Sequence, residues 1–303
     1  MPVHKAGMVF QGTYTAIVTP FTEEPGAPID WAAFDGLLDA QVAGGIDGVV
    51  PCGTTGESPA LTADEQLAVI KRTVARVKGK AQVVAGTGSA STHHAIELSR
   101  AAESAGVDAV MVVVPYYNKP TQAGLRNHFV TVAKSVKCPV VIYNIPGRSG
   151  VDLLPDTMGA ILEGAPNVLC VKEATGNVVR AQDLARRFGA RLTILSGDDG
   201  LTLPMVAVGA KGVISVTSNV LPGAVTKATK LALSGDLEAA RRAHHALLPV
   251  HEAMFIEANP GPAKAALAAR GLIKNVVRGP LATVSDATRK AVLAALEAYG
   301  NDK

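Results

Sequence analysis

The feature that most constrains this chain is an alternation, repeated eight times, between short β-branched apolar runs and longer segments of helical patterning. The runs are "YTAIVTPF" (14–21), "GVVPCG" (48–53), "QVVAGTG" (82–88), "AVMVVVPYY" (109–117), "CPVVIYNIP" (138–146), "VLCVKEA" (168–174), "RLTILSG" (191–197) and "GVISVTSN" (212–219). They are apolar almost throughout, which suits strands of a parallel sheet covered by helices on its outer face. Segments such as "TADEQLAVIKRTVARVK" (62–78) and "THHAIELSRAAESAG" (92–106) supply that cover. Eight strand–helix units in succession predict an α/β fold, a closed (β/α)8 TIM barrel. An open doubly wound sheet would need a switch point and usually has fewer units.

From about residue 222 the chain turns Ala-rich and strand signals stop. The expected organisation is a barrel core over 1–221, then the last barrel helix and a C-terminal helical segment over 222–303 packed on it. No Ser/Gly-rich linker marks that segment as independent.

Composition excludes several functions. Net charge is +3 with both signs interspersed, and aromatics make up 4%. There is no basic patch for nucleic acid or anionic lipid and little aromatic surface for stacking bases. No run approaches the ~18 apolar residues of a membrane span, and "MPVHKAGMVF" lacks the apolar stretch of a secretory signal. The three cysteines, Cys52, Cys138 and Cys170, lie in apolar runs without Cys-x-x-Cys spacing and read as reduced core residues. A cytoplasmic protein is the expectation. "GTG" (86–88) lacks the full dinucleotide fingerprint. His93, His94, His244, His245 and His251 lie in helical stretches without metal-ligand spacing, so no metal is expected.

In a barrel, chemistry collects where strands end and loops begin. The polar and Gly-rich residues fall there: "CGTTGES" (52–58), "PYYN" (115–118), "YNIPGRSG" (143–150), "KEATGN" (172–177), "SGDD" (196–199) and "SVTSN" (215–219). Lys172 ends an apolar run with Glu173 behind it. Counting by twos puts Val168, Cys170 and Lys172 on one face, and Pro139, Val141 and Tyr143 on one face of the neighbouring run. If both faces point inward, Lys172 and Tyr143 converge. A desolvated lysine has a lowered pKa, and at ~7–8 its amine can attack a ketone to form a Schiff base. The alternative is a strand-end ion pair with Glu173. "GTTGES" offers backbone N–H groups and the hydroxyls of Thr54 and Thr55 for a carboxylate, or is simply a turn opening the next helix. Tyr117 and Tyr143 are either proton carriers or rim tyrosines, and Arg148 either grips a carboxylate or is solvated.

In their order along the chain, "GTTGES", "PYYNKPTQAGL", "YNIPGRSG", "VKEATGN", "SGDD", "GVISVTSN" and "FIEANPGPAKAAL" resemble the pyruvate-dependent class I aldolase superfamily, most closely its dihydrodipicolinate synthase branch. The resemblance implies that Lys172 forms the Schiff base with pyruvate and that Tyr143 is general acid and base beside it. It implies that Thr55 links two tyrosines in a proton relay, with Tyr117 reaching in from a neighbouring subunit. Thr54 and Thr55 then bind the pyruvate carboxylate, Gly197 and Ile214 line the site through their backbone, and Arg148 holds the carboxylate of L-aspartate 4-semialdehyde. The implied product is 4-hydroxy-tetrahydrodipicolinate, on the route to lysine and diaminopimelate. The implied assembly is a homotetramer, a dimer of dimers, with no cofactor beyond the covalent lysine.

Where lysine-inhibited members of the family carry polar residues, this chain has Ala63, Gln66, Ala90 and His94, although Ser58 and Tyr116 remain. Weak or absent inhibition by lysine is the expectation. Two other functions compete: another member of the superfamily, such as an N-acetylneuraminate lyase or a 2-keto-3-deoxy sugar-acid aldolase or dehydratase, and a catalytically silent barrel. "GRSG" argues against the first, and the intact Lys172, Thr55, Tyr117 and Tyr143 against the second.

Overall fold

The computed structural model of the chain describes residues 8–301. Eight parallel strands close into one barrel in sequence order. They are β1 (Gly12–Ala16), β2 (Gly48–Val50), β3 (Gln82–Gly86), β4 (Ala109–Val113), β5 (Val140–Asn144), β6 (Val168–Glu173), β7 (Thr193–Ser196) and β8 (Gly212–Ser215). Between them run α1 (Trp31–Ala43), α2 (Ala63–Val77), α3 (Thr92–Ser104), α4 (Gln122–Lys134), the single turn α5 (Pro146–Ser149), α6 (Pro155–Gly164), α7 (Val178–Phe188) and α8 (Thr202–Ala207). After β8 come α9 (Pro222–Ser234), α10 (Leu237–Ala253), α11 (Gly261–Ala269) and α12 (Asp286–Asn301).

Each apolar run coincides with one strand, β1 beginning two residues before its run, but the strands stop earlier than the runs. Ile17, Val18 and Val114 lie beyond the last strand residue and are still fully buried under the loops. Burial, not ladder hydrogen bonding, keeps those residues apolar.

Two cores follow from strand alternation. An inner cluster takes residues from all eight strands, including Tyr14, Val50, Val84, Met111, Val141, Cys170, Leu195 and Ile214, so it fills the barrel interior. Val49, Val83, Val110, Ile142, Val171 and Ile194 face the other way and meet the helices. One expectation fails here. The β5–β6 register shifts between Val140 and Val141, pairing Val140 with Val168 but Val141 with Cys170. The extra residue, Leu169, turns Val168 into the outer core while Cys170 stays inside. The shared face therefore includes Cys170 and Lys172 but not Val168.

The rim is organised by helix caps. Asp30, Thr62, Ser91, Thr121 and Asn177 each accept a hydrogen bond from the backbone N–H three residues on, starting α1, α2, α3, α4 and α7. At α2, Glu65 reaches back to the Thr62 N–H, completing a capping box that ends the "GTTGES" loop. The C-terminal helices pack on the barrel side: α10 lies against α9 and α12, and α11 against α12. Among the described residues, no helix is long and apolar enough to cross a membrane.

Candidate active site

Lys172 and Tyr143 are paired residues of β6 and β5. Both are 4% exposed, and the Lys172 Nζ lies 4.1 Å from the centre of the Tyr143 ring. Burial is the main force on the amine and pulls its pKa down from 10.5 to about 8, with the Arg148 charge acting in the same direction. Asp199 opposes them by favouring the ammonium form. That aspartate is fully buried and accepts hydrogen bonds from the Ser215 hydroxyl, the Val216 N–H at 2.8 Å and the Thr217 N–H at 3.1 Å. Burial pushes the Tyr143 phenol up to about 12, while Arg148 and a hydrogen bond with the Thr54 side chain favour the phenolate.

Gly197 completes the wall behind the lysine. A Cβ there would stand 2.6 Å from the Ala174 Cβ and 3.2 Å from the Lys172 Cε. Only a residue without a side chain leaves the lysine stem its path. Ile214 is fully buried in the same interior.

Glu173 is not the ion partner of Lys172. As the next residue on the strand it points to the opposite side. Its carboxylate accepts the Thr175 N–H at 2.9 Å and hydrogen-bonds Asn144. Asn144 in turn donates to Asp152 at 2.9 Å and accepts the Leu153 N–H at 3.1 Å. Glu173 thus ties the loop after β6 to the loop after β5, a structural task.

The "GTTGES" loop is tightly wound. Cys52, just before it, and Glu57, within it, have φ of 56° and 55°, the left-handed region. Thr55 is 2% exposed, and its Oγ1 accepts a hydrogen bond from the Asn259 Nδ2 at 2.9 Å. The Thr54 side chain hydrogen-bonds Tyr143, whereas the Thr55 hydroxyl is engaged by Asn259. Neighbouring residues of a turn point apart, and counting alone could not say which threonine faced the phenol.

Tyr117 behaves unlike Tyr143. It follows β4 with φ of 73° and its ring is 92% exposed. Within one chain it does not join the buried pair. Arg148 sits on the exposed turn α5 just beyond β5, close enough for its charge to act on both Tyr143 and Lys172.

Three side chains were not singled out from the sequence: Asp199, Asn259 and Lys264. Asp199 lay inside a rim motif, "SGDD", but nothing in the motif says which aspartate is buried. Asn259 and Lys264 come from the C-terminal segment, beyond the barrel where chemistry was sought. A lone lysine in the Ala-rich run "GPAKAALAA" was the available signal.

The histidines have structural partners. The His244 Nε2 is 3.0 Å from the Gly200 carbonyl, and the His251 Nδ1 is 2.9 Å from the Thr217 hydroxyl. Among the described residues no group of three or more His, Cys, Asp or Glu side chains is placed to hold a metal. A separate cavity of about 600 Å³ between α2 and α3 is lined by Ser58, Ala63, Gln66, His94, Glu97 and Tyr116, among others. The Gln66 amide is already committed there, donating to the Ser58 and Leu61 carbonyls at 3.1 and 3.3 Å. Ala90 is absent from that lining; its carbonyl accepts from the Asn118 amide.

Known proteins are similar to this chain across nearly its whole length. The 4-hydroxy-tetrahydrodipicolinate synthase of Sorangium cellulosum (strain So ce56) is 56% identical over 285 residues, 94% of each chain. The structure of the 4-hydroxy-tetrahydrodipicolinate synthase of Methylacidiphilum fumariolicum SolV superposes with a TM-score of 0.94 at 43% identity, covering 97% of both chains. A structure described as the first monomeric dihydrodipicolinate synthase variant superposes with a TM-score of 0.93 at 37% identity, covering 96% of this chain and 97% of that one. The profile of the dihydrodipicolinate synthetase family matches residues 9–299, and with a closed barrel carrying a buried Lys172 beside Tyr143, the chain belongs to that family.

Proposed function

We propose that this chain condenses pyruvate with L-aspartate 4-semialdehyde to give 4-hydroxy-tetrahydrodipicolinate, using Lys172 as a covalent catalyst. The observation that carries the reading is the lysine itself, buried, held at about 8 and lying 4.1 Å from the Tyr143 ring centre. At neutral pH a useful fraction of such an amine is uncharged and nucleophilic.

The neutral Lys172 Nζ attacks the pyruvate ketone, and the carbinolamine loses water to leave a protonated imine. Asp199, already oriented by three donors, favours that positive charge. The imine carbon draws electrons from the adjacent methyl group, which gives up a proton and becomes an enamine. The enamine carbon bonds to the aldehyde carbon of the second substrate, whose oxygen takes a proton. The substrate amine then displaces Lys172 from the imine carbon, closing the ring and restoring the free lysine.

Tyr143 carries the protons of imine formation and is the natural acid, since at about 12 it stays protonated. Thr54 links it outward by a hydroxyl hydrogen bond, and Tyr117 of a neighbouring chain completes the relay. The exposed Tyr117 ring supports an assembly of at least two chains, and a homotetramer built as a dimer of dimers is the assembly proposed. Thr54 and Thr55 form the pyruvate carboxylate site, Gly197 and Ile214 line it, and Arg148 receives the carboxylate of the semialdehyde. The covalent lysine supplies the electron sink, so no further cofactor takes part. The barrel core through β8 carries this chemistry, residues 222–303 brace it, and the enzyme acts in the cytoplasm.

Borohydride reduction in the presence of pyruvate should fix a stable adduct on Lys172, located by peptide mass mapping. An unmodified Lys172 would overturn the mechanism. A coupled assay with pyruvate and the semialdehyde should show turnover that Arg148→Ala strongly reduces. Turnover of N-acetylneuraminate or 2-keto-3-deoxygluconate alone would move the substrate assignment elsewhere in the superfamily.

A further inference from the structure

We propose that Asn259 is a positioning residue that compels the Thr55 hydroxyl to donate its proton into the pocket, making the site selective for a substrate bearing a carboxylate. This rests on the reading of Thr54 and Thr55 as the carboxylate site.

The direction of one hydrogen bond carries the argument. An amide nitrogen has no lone pair to offer, so in the contact at 2.9 Å the Asn259 Nδ2 donates and the Thr55 Oγ1 accepts. The Thr55 proton must then point elsewhere, and among the described residues this hydroxyl meets no second partner. A hydroxyl left to itself turns to suit whatever it meets, as acceptor or donor. Fixed from behind by Asn259, this one is presented as a donor, which is the group a carboxylate needs and which needs no reorganisation when the anion arrives.

Both ends of that hydrogen bond are bolted together by a second set of contacts. Glu57, two residues after Thr55, is 2% exposed and ion-paired with Lys264, which is fully buried on α11 and five residues after Asn259. The Lys264 Nζ also donates to the Val276 carbonyl at 2.8 Å and lies 4.1 Å from the Phe21 ring centre. The other Glu57 oxygen accepts the Arg278 N–H at 2.9 Å, and the Arg278 guanidinium clasps Glu65 on α2 at 2.7 and 2.8 Å. The loop bearing Thr55 and the segment bearing Asn259 are therefore tied together at several points. The C-terminal segment is in this way a part of the binding site, two layers behind the substrate.

Asn259→Asp tests the idea, because a carboxylate can only accept. It should draw the Thr55 proton away from the pocket and raise the pyruvate KM about tenfold or more, with a smaller change in kcat. Borohydride trapping of methyl pyruvate, which lacks the charge, should slow far less. Thr55→Val supplies the benchmark and should raise the pyruvate KM by a similar factor. If Asn259→Asp does not fold, judged by circular dichroism, Asn259→Ala is used, and the ratio of pyruvate to methyl pyruvate trapping should still fall. A raised KM in Thr55→Val with an unchanged KM and trapping ratio in the Asn259 variants would overturn the positioning role alone. An unchanged KM in Thr55→Val as well would overturn the carboxylate-site reading on which it rests.

Discussion

Tyr143 and Lys172 stand opposite each other in the β5–β6 register, and the amine lies 4.1 Å from the centre of the phenol ring. The two groups are shifted in opposite directions by one cause, loss of water. The amine falls to about 8 and the phenol rises to about 12, so near neutrality part of the amine is uncharged while the phenol facing it stays protonated. The register shift at Leu169 contributes by setting which β6 residues turn inward above it.

The pH dependence follows from that amine. Only neutral Lys172 attacks a ketone, and its neutral fraction grows as pH rises through the folded value. The kcat/KM for pyruvate should therefore climb with pH to a plateau above about 8. Removing the Asp199 charge takes away the group that favours the ammonium, so Asp199→Asn should move the rising limb to lower pH. A limb that stays in place in a correctly folded variant would show that Asp199 does not act on the lysine.

Thr54 and Thr55 should separate by kinetic signature. Thr54→Val removes the hydroxyl that engages Tyr143 and should lower kcat about a hundredfold, in line with the loss of general acid–base assistance. Steady-state kinetics of Thr54→Val and Thr55→Val side by side decide it. A larger kcat loss in Thr55→Val would return the relay to Thr55.

Gly197→Ala places a methyl group 2.6 Å from the Ala174 Cβ and 3.2 Å from the Lys172 Cε. The Ala174 methyl is fixed to its backbone and the Glu173 carbonyl oxygen stands 3.2 Å away, so neither has much room to give. The expected result is a stability loss of about 1–3 kcal/mol by denaturant unfolding, together with slowed trapping of pyruvate on Lys172.

Tyr117 offers a complementation test. Tyr117→Phe and Lys172→Ala chains should each be nearly inactive alone. Mixed and reassembled at equal amounts, random pairing leaves about a quarter of the sites with both a native lysine and a donated tyrosine. Activity near that fraction is expected. No recovery in hybrids confirmed by native mass spectrometry would mean that Tyr117 acts within its own chain or not at all.

Inhibition by lysine should be weak or absent. The cavity lined by Ala63, Gln66 and His94 has room, but the Gln66 amide is spent on two backbone carbonyls and Ala63 offers no polar group. A lysine titration of the coupled assay should leave the rate unchanged at micromolar concentration. Inhibition in that range would contradict the reading.

The sequence by itself determined the architecture and most of the rim. Eight apolar runs separated by helical periods specify a parallel barrel, because strand and helix patterns differ in period and each β-branched run needs cover on its outer face. Alternation by twos also brought Lys172 and Tyr143 to one interior, since side-chain direction along a regular strand is a local property. What only the tertiary structure decided lies where local rules lose their hold. The extra residue at Leu169 turned Val168 outward, a matter of register between two strands and not of either strand's own pattern. Which of two adjacent threonines meets Tyr143 depends on the course of a turn with left-handed residues at both ends. Asn259 and Lys264 reach the site across more than two hundred residues of chain, and only the packing of α11 against the "GTTGES" loop brings them there. Contacts of that separation leave no periodic trace in a single sequence; they exist because burying a charge at Glu57 requires a partner, and the fold supplies Lys264.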